Sequence, residues 1–353
     1  MPSNNSSTIA KTVASLVKNL STRNRDIISR RFGLKTGKKE TLESIGKSYG
    51  ITRERVRQIE EFSLGQLTKF TQDNGEIARY VSSVEDVLKN NGGAMKERDL
   101  FKEFSGNDKD SVANSSLVFL LTLNKEPVRS HDNDSFHSFW ALNSKFAEYL
   151  NKSSALLVGA MKKTKKIVPA DQLRDFSRSN SVSGPDNGDL SDKHVQMLLT
   201  VSKDLGNNIF NEIGLTEWAE IKPKGVRDKA YLVLKKEKAP KHFTEIAKLI
   251  NTATFSSKKA NVQTVHNELI KDSRFVLVGR GMYGLSEWGY QPGTVKDVLV
   301  HVLKNTSKPL ARAELVAKVM DSRMVKENTI LLNLQDSKTF LKKEDGTYTL
   351  RKA

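Results

Sequence analysis

The feature that most limits how this chain folds is a recurring ending. FWALNSKF runs from Phe139, GLTEWAEI from Gly214, GLSEWGY from Gly284, and GTYTLRKA from Gly346 closes the sequence. Leu142, Leu215, Leu285 and Leu350 therefore recur at a spacing of roughly 65–75 residues. That period is too long for a solenoid repeat and right for a small domain with its own core. The 353 residues must then be a string of modules, not one large core.

Each repeat begins with a Val/Leu stripe at helical spacing: VEDVLKN near 84, SALLVGAMKK near 154, RDKAYLVLKK near 227 and VKDVLVHVLK near 295. A second helix follows a turn, at RDLFKEF, ADQLRDF, FTEIAKLIN and RAELVAKVM, and a third is clearest in NVQTVHNELIKD. The alternation in RFVLVGRGMYGLSE predicts a two-strand hairpin about Gly279-Arg280-Gly281. Three helices and a hairpin make the winged-helix pattern. The stretch KHFTEIAKLIN…TVHNELIKDSRFVLVGRGMYGLSEW resembles the winged-helix domain shared by the RNA polymerase delta subunit and the HARE family. Units are expected at 78–145, 147–221, 224–290 and 293–353, and Trp218, Trp288 and Tyr290 are expected to pack each unit on the next. In the third unit Lys258, Lys259, Gln263, Thr264 and His266, on or before the third helix, and Arg280 on the wing are candidate DNA contacts.

Composition narrows the partners. Net charge is +17, divided as +8 over residues 1–70, −4 over 71–221 and +13 over 222–353. Two basic ends about a mildly acidic middle point to a polyanion, nucleic acid first. A membrane surface would need a basic amphipathic helix with large apolar anchors, which the sequence lacks. No apolar run reaches the length of a membrane span. MPSNNSSTIA has neither a basic n-region nor an apolar stretch, so no signal peptide is expected. There is no cysteine, which removes disulfides, thiolate catalysis and cysteine zinc sites and fits a cytoplasmic, nucleoid-associated protein.

Ahead of the repeats, residues 9–70 follow another pattern. Val13, Leu16, Val17 and Leu20 share a helical face, and a second helix fits Asn24–Phe32 with Gly33 as its stop. Thr41 is placed to cap TLESIGKSYG, Gly50 to end it, and Thr52 to cap RERVRQIEEFSLGQLTKF. Helix, short glycine turn, helix is the helix-turn-helix arrangement. On the last helix Val56, Ile59, Leu64 and Leu67 face inward, leaving Arg53, Glu54, Arg57 and Gln58 on the opposite side near the helix N-terminus. Arg reads guanine edges bidentately, Gln reads adenine and Glu accepts from cytosine N4. The clustering of Arg53 and Arg57 without counter-charges points to an external anion. Arg55, Lys35, Lys38 and Lys39 are then placed for phosphate contacts.

RDIISRRFGL followed by TLESIGKSYGITRERVRQIEEFSLGQL resembles region 4 of the housekeeping-type bacterial sigma factors, the module that reads the −35 promoter element. The resemblance covers about residues 10–70. It implies base contacts by Arg53, Glu54, Arg57 and Gln58, and docking of the first helices on the β flap of RNA polymerase core, near Ile27, Ile28 and Phe32, for all three of which core packing is the leading expectation. Nothing else resembles the regions that melt the −10 element, so a complete sigma factor is not expected.

No phosphate loop, G-x-S-x-G or G-x-G-x-x-G occurs. His131, His137, His194, His242, His266 and His301 have no metal-site spacing. PDNGDLSDK at 185–193 reads as a polar loop, and KKTKK at 162–166 as a helix end. No catalytic residue, cofactor, metal or small-molecule substrate is expected. The expectation is a mainly α chain, a helix-turn-helix with Thr41 and Thr52 at its caps followed by tandem winged helices. It binds double-stranded promoter-like DNA and associates with RNA polymerase. The alternatives are a polymerase docking accessory without strong sequence preference, or the DNA-sensing arm of a nuclease system.

Overall fold

The computed structural model describes residues 3–71, 74–185, 188–253, 255, 258–306 and 308–351, with the backbone alone for 3–7. It is mainly helical and divides into two compact units, Met1–Glu217 and Trp218–Ala353.

The first unit starts with α1 (Ser3–Leu16), a 3-10 turn over Val17–Asn19, α2 (Thr22–Phe32), α3 (Leu42–Tyr49) and α4 (Arg53–Thr71). Two modules of one topology follow. The first is α5 (Gly75–Asn90), β1 (Ala94–Lys96), α6 (Glu97–Ser105), α7 (Val112–Thr122), β2 (Val128–Ser130) and β3 (Phe139–Ala141). The second is α8 (Ser144–Thr164), β4 (Val168–Pro169), α9 (Leu173–Ser179), α10 (Asp192–Val201), β5 (Leu205–Asn207) and β6 (Glu212–Leu215). The sheets run β1-β3-β2 and β4-β6-β5, all antiparallel.

The second unit repeats the scheme twice. It holds α11 (Val226–Glu237), β7 (Lys241–His242), α12 (Phe243–Thr252), α13 (Val262–Lys271), β8 (Phe275–Gly279) and β9 (Met282–Leu285). Then come α14 (Val295–Thr306), β10 (Leu310–Ala311), α15 (Arg312–Ser322), α16 (Glu327–Leu334), β11 (Phe340–Lys342) and β12 (Thr347–Leu350). The sheets are β7-β9-β8 and β10-β12-β11.

The recurring endings have a physical reason. Each lies in or just after the last strand of its module, and that strand is central in its three-stranded sheet. A central strand is paired on both edges and covered by the helices, so its apolar residues are the most constrained. Trp140, Leu215 and Leu285 are accordingly buried.

Packing departs from the sequence expectation in three places. First, residues 9–70 keep only a small separate core at Ile27, Ile45 and Val56 and share the rest with the next module. Ile9, Val13, Leu16, Val17, Leu20, Ile28 and Leu67 join Leu88, Leu100, Leu117, Phe119, Leu120 and Trp140 in one continuous cluster. The reason is α7, whose sequence VANSSLVFLLT is buried from Asn114 through Leu121. A helix apolar on all sides must be covered on all sides, and α1 and α2 supply the cover. Second, Trp288 packs on the core of its own module and its ring stands 6.3 Å from that of Tyr290, which in turn lies against Gly284 of the same sheet. Trp288 thus helps to close its own module. Third, module starts shift: α5 begins at Gly75, capped by Asn74, and α8 at Ser144, capped by Asn143.

KKTKK falls at the end of α8, with Lys165 left-handed beyond it. In PDNGDLSDK, Asp186 and Asn187 lie outside the described residues, while Asp189 pairs with Arg178 and Asp192 with Arg174. Among the described residues no helix is long and apolar enough to cross a membrane, and no cluster of His, Asp and Glu has the arrangement of a metal site.

Candidate nucleic-acid interface

The pair α3–α4 is set by local chemistry. The Thr41 hydroxyl accepts from the Ser44 N–H at 3.1 Å and starts α3. Gly50 ends it at φ 65°, a conformation that suits glycine, and the Ile51 N–H returns to the Gly46 carbonyl at 3.0 Å. Gly46 is required by approach: a Cβ there would stand 2.6 Å from the Ile51 carbonyl oxygen. The Thr52 hydroxyl then accepts from the Arg55 N–H at 3.2 Å and opens α4. Ile27, Ile45 and Val56, all fully buried, form a small core of their own under this turn, with Leu42, Tyr49, Ile51 and Ile59 packed around it.

Polar contacts fix the two helices to α2. Arg30 grips the Glu40 carboxylate with two hydrogen bonds, at 2.9 and 2.7 Å, and also donates to Ser48 at 2.9 Å. Those bonds hold the Glu40 carboxyl below the ordinary carboxylate range. Arg31 donates to Glu60 at 3.2 Å, tying α2 to α4, and the Tyr49 hydroxyl donates to Asp26 at 2.9 Å. The Arg23 guanidinium lies 5.5 Å from the Tyr49 ring centre.

On this frame Arg53, Glu54, Arg55, Arg57 and Gln58 are all exposed along the first turns of α4. They share a face with the helix N-terminus, where backbone N–H groups favour an anion. Their internal pairing differs from the sequence expectation. Arg57 is not without counter-charges: its guanidinium bonds Glu54, as close as 2.6 Å, and also Glu61. Glu54 three residues before and Glu61 four after place a carboxylate on each side. The i,i+4 spacing of Arg57 and Glu61 is readable in the sequence and marks this pair. Arg55 donates to the Gln58 amide oxygen at 3.0 Å, which leaves the Gln58 NH₂ to donate outward. Among the described residues no carboxylate pairs with Arg53.

The other expected contacts divide. Lys38 is exposed beside α3, whereas Lys35 is tied to Asp26 at 3.1 Å and Lys39 lies at the mouth of a cavity. Ile27 and Ile28 are fully buried, and Phe32 meets Phe119 edge to face at 4.9 Å. Neither isoleucine offers a surface for docking, because the chain's own α7 and helix-turn-helix core cover them, and Phe32 is half-buried.

In the second unit α13 starts at Asn261, whose side chain accepts from the Gln263 N–H. Lys258, Lys259, Gln263 and Thr264 are exposed, with the Gln263 amide bonded to Asn267 at 3.1 Å. His266 is half-buried and stacked on Phe243 at 4.4 Å, so its ring serves packing. Arg280 is exposed at the β8–β9 turn, where Gly281 has φ 70°. The neighbouring Val278 carbonyl accepts from the Met324 N–H at 2.8 Å, which anchors that hairpin on the last module.

Comparison with known proteins bears on the first unit. Residues 16–69 match the family described as sigma-70, region 4. Over 60 residues the chain is 43% identical to the RNA polymerase principal sigma factor HrdD of Streptomyces coelicolor, covering 17% of this chain and 18% of that protein. It is 39% identical over 66 residues to the RNA polymerase sigma factor SigA of a Nostoc species, 19% of this chain and 17% of the relative. With the RNA polymerase sigma factor RpoS of Coxiella burnetii it shares 46% identity over 56 residues, 16% of each. The chain thus spans under a fifth of the length of these curated relatives, and the likeness belongs to one module.

Proposed function

We propose that this chain is a DNA-binding transcription factor that reads promoter-like, −35-type duplex through α4 and associates with bacterial RNA polymerase, without being a complete sigma factor. One observation carries the reading. Within the region 4 match, Arg53, Glu54, Arg57 and Gln58 stand exposed together at the N-terminal end of the second helix of a helix-turn-helix. That end of the second helix enters the major groove in proteins of this architecture. Two guanidinium forks, a carboxylate and an amide supply donors and acceptors for base edges. Arg55 and Lys38 supply phosphate contacts. Thr41 and Thr52 cap the two helices and add hydroxyls near the backbone.

The four later modules are read as winged helices, from their shared helix–strand–helix–helix–hairpin order. Only some suit a duplex. In the first unit α7 is buried from Asn114 through Leu121, whereas α10, α13 and α16 keep exposed faces. Lys258, Lys259, Gln263 and Arg280 are therefore the auxiliary DNA contacts. Burial of Ile27 and Ile28 moves any contact with the polymerase β flap to other residues. The buried α7 also favours a second reading, in which the modules act as docking arms on polymerase and α4 only steers. The action in both readings is binding, not catalysis.

Selection of duplexes from a random library by the full chain distinguishes the two. The first reading requires an enriched sequence and its loss in Arg57→Ala. Co-purification with polymerase core in the absence of DNA, with no enriched sequence, supports the second.

A further inference from the structure

The third and fourth modules are joined by a short segment, residues 289–294. Modules joined in this way move against each other unless a contact ties them. Here the contact comes from the segment that follows α15. Arg323, its first residue, is 6% exposed. The Arg323 guanidinium donates to the Gln291 carbonyl at 3.3 Å and to the Gly293 carbonyl, both in the joining segment. Met324 leaves its side chain exposed and turns its main chain to the third module. Its N–H donates to the Val278 carbonyl of β8 at 2.8 Å. Its carbonyl oxygen sits where Gly279 offers no side chain: a Cβ on Gly279 would stand 2.8 Å from it.

The surroundings show what this contact holds. Burying a guanidinium costs free energy unless its donors are met. Asp297, the carboxylate that acts on Arg323, is itself bonded to the Thr294 N–H and hydroxyl, each at 2.7 Å. The Arg323 Nε has no partner among the described residues. The carbonyls of the joining segment are thus what keeps this side chain inside. On the third module, Val276 and Val278 are 4% and 0% exposed, yet they lie outside the module's own core, which takes Phe275, Tyr283 and Leu285. Val276 pairs in register with Gly284, and there the Tyr290 ring of the joining segment occupies the space a Cβ would need. The sheet face turned away from Phe275 is therefore covered by the joining segment.

We propose that Arg323 and Met324 clasp the last two modules into one rigid arm, with the joining segment pinned between them. The wing strand β8, and with it the turn at Arg280, keeps a fixed position against the fourth module. The two modules then meet any partner as one body, with no relative motion left to freeze on binding. The clasp is independent of what the arm binds, and it stands even if the arm never meets a duplex.

The chain has no cysteine, so spin labels attach only where cysteines are introduced. In the full chain carrying Lys248→Cys on α12 and Lys318→Cys on α15, double electron–electron resonance should give one narrow distance distribution. Adding Gly279→Val, which drives a side chain against the Met324 carbonyl, should broaden it. Adding Arg323→Ala, which frees the joining segment, should do the same. Amide hydrogen exchange of the unlabelled full chain is the second readout. Met324 lies outside any helix or strand, so its amide is protected only through Val278. It should exchange at least about tenfold slower than in an unstructured peptide and lose that protection in both variants. Leu234 in α11 and Leu299 in α14 should keep theirs, which separates an opened clasp from an unfolded module. A broad distribution in the parent chain, an unprotected Met324 amide, or a narrow distribution retained in both variants would overturn the proposal.

Discussion

Phe32 on α2 and Phe119 on α7 meet edge to face with ring centres 4.9 Å apart. Phe119 is fully buried, and the contact sits in the cluster that runs from Ile9 to Trp140. The helix-turn-helix is therefore built onto the module behind it. Its first helix and the apolar helix α7 each cover surface that the other would leave in water.

That packing makes stability of residues 9–70 dependent on residues 75–142. Phe119→Ala should destabilise the first unit by about 3–5 kcal/mol, the usual cost of truncating a buried aromatic. Urea unfolding of the full chain, followed by far-UV circular dichroism, measures it. A fragment of residues 9–70 should lack dispersed amide resonances because Ile28, Leu16 and Leu67 lose their partners. A well-dispersed spectrum from that fragment would refute the shared core.

Glu61 pairs with Arg57 and stands among groups assigned to a phosphate-rich surface. Glu61→Gln removes a negative charge and loosens the competing partner. Affinity for duplex should rise about two- to threefold at moderate salt, the scale of one exposed ion pair. Fluorescence anisotropy on a labelled duplex reads it; weaker binding by Glu61→Gln would argue that the carboxylate orients Arg57 for DNA.

Acid should destabilise the first unit in two steps. Burial first, then nearby lysines, pushes His137 below its ordinary value, and burial does the same to His194. Their unfolded forms take up protons near pH 6.5 before the folded forms do, so stability begins to fall there and levels off below the folded values. Glu40, held down by Arg30, contributes stability above about pH 4.3 that is lost as pH falls through its lower folded value. Urea midpoints at pH 7, 5.5 and 4 should decline in order, and Glu40→Gln should flatten the lower step. A midpoint that rises between pH 7 and 4 would contradict these assignments.

How far the site was legible depends on the kind of interaction. Caps and turns are local, and Thr41, Gly50 and Thr52 disclosed α3 and α4 from their own chemistry. The inward stripe was likewise visible, with Val56 and Leu67 fully buried. What the spacing could not disclose is tertiary: that Ile27 lies beneath the turn, that Ile28 and Phe32 are covered by α7, and that Arg31 reaches Glu60 across helices. A buried isoleucine and a docking isoleucine look alike in sequence. The packing of Trp288 on its own module's core is tertiary in the same way, since an aromatic after a strand can close its own module or meet the next. The bond from Met324 to Val278 joins residues far apart in the chain, and no local pattern marks it.

The auxiliary role assigned to the second unit has a salt signature. Each phosphate contact adds about 0.9 to the slope of log affinity against log salt. Lys259→Ala and Arg280→Ala should each shallow that slope by about one, equally on all sequences. Unchanged slopes in both variants would confine the duplex to the first unit.

The most direct measurement compares the full chain and Arg57→Ala, at one fixed salt concentration, on the best duplex recovered from a random library and on its scrambled counterpart. The native chain should prefer the recovered duplex by about a thousandfold or more. Arg57→Ala should lose about 1–3 kcal/mol on that duplex and little on the scrambled one. A native chain that binds both duplexes equally, or a variant that discriminates as well as the native chain, would contradict base reading by α4.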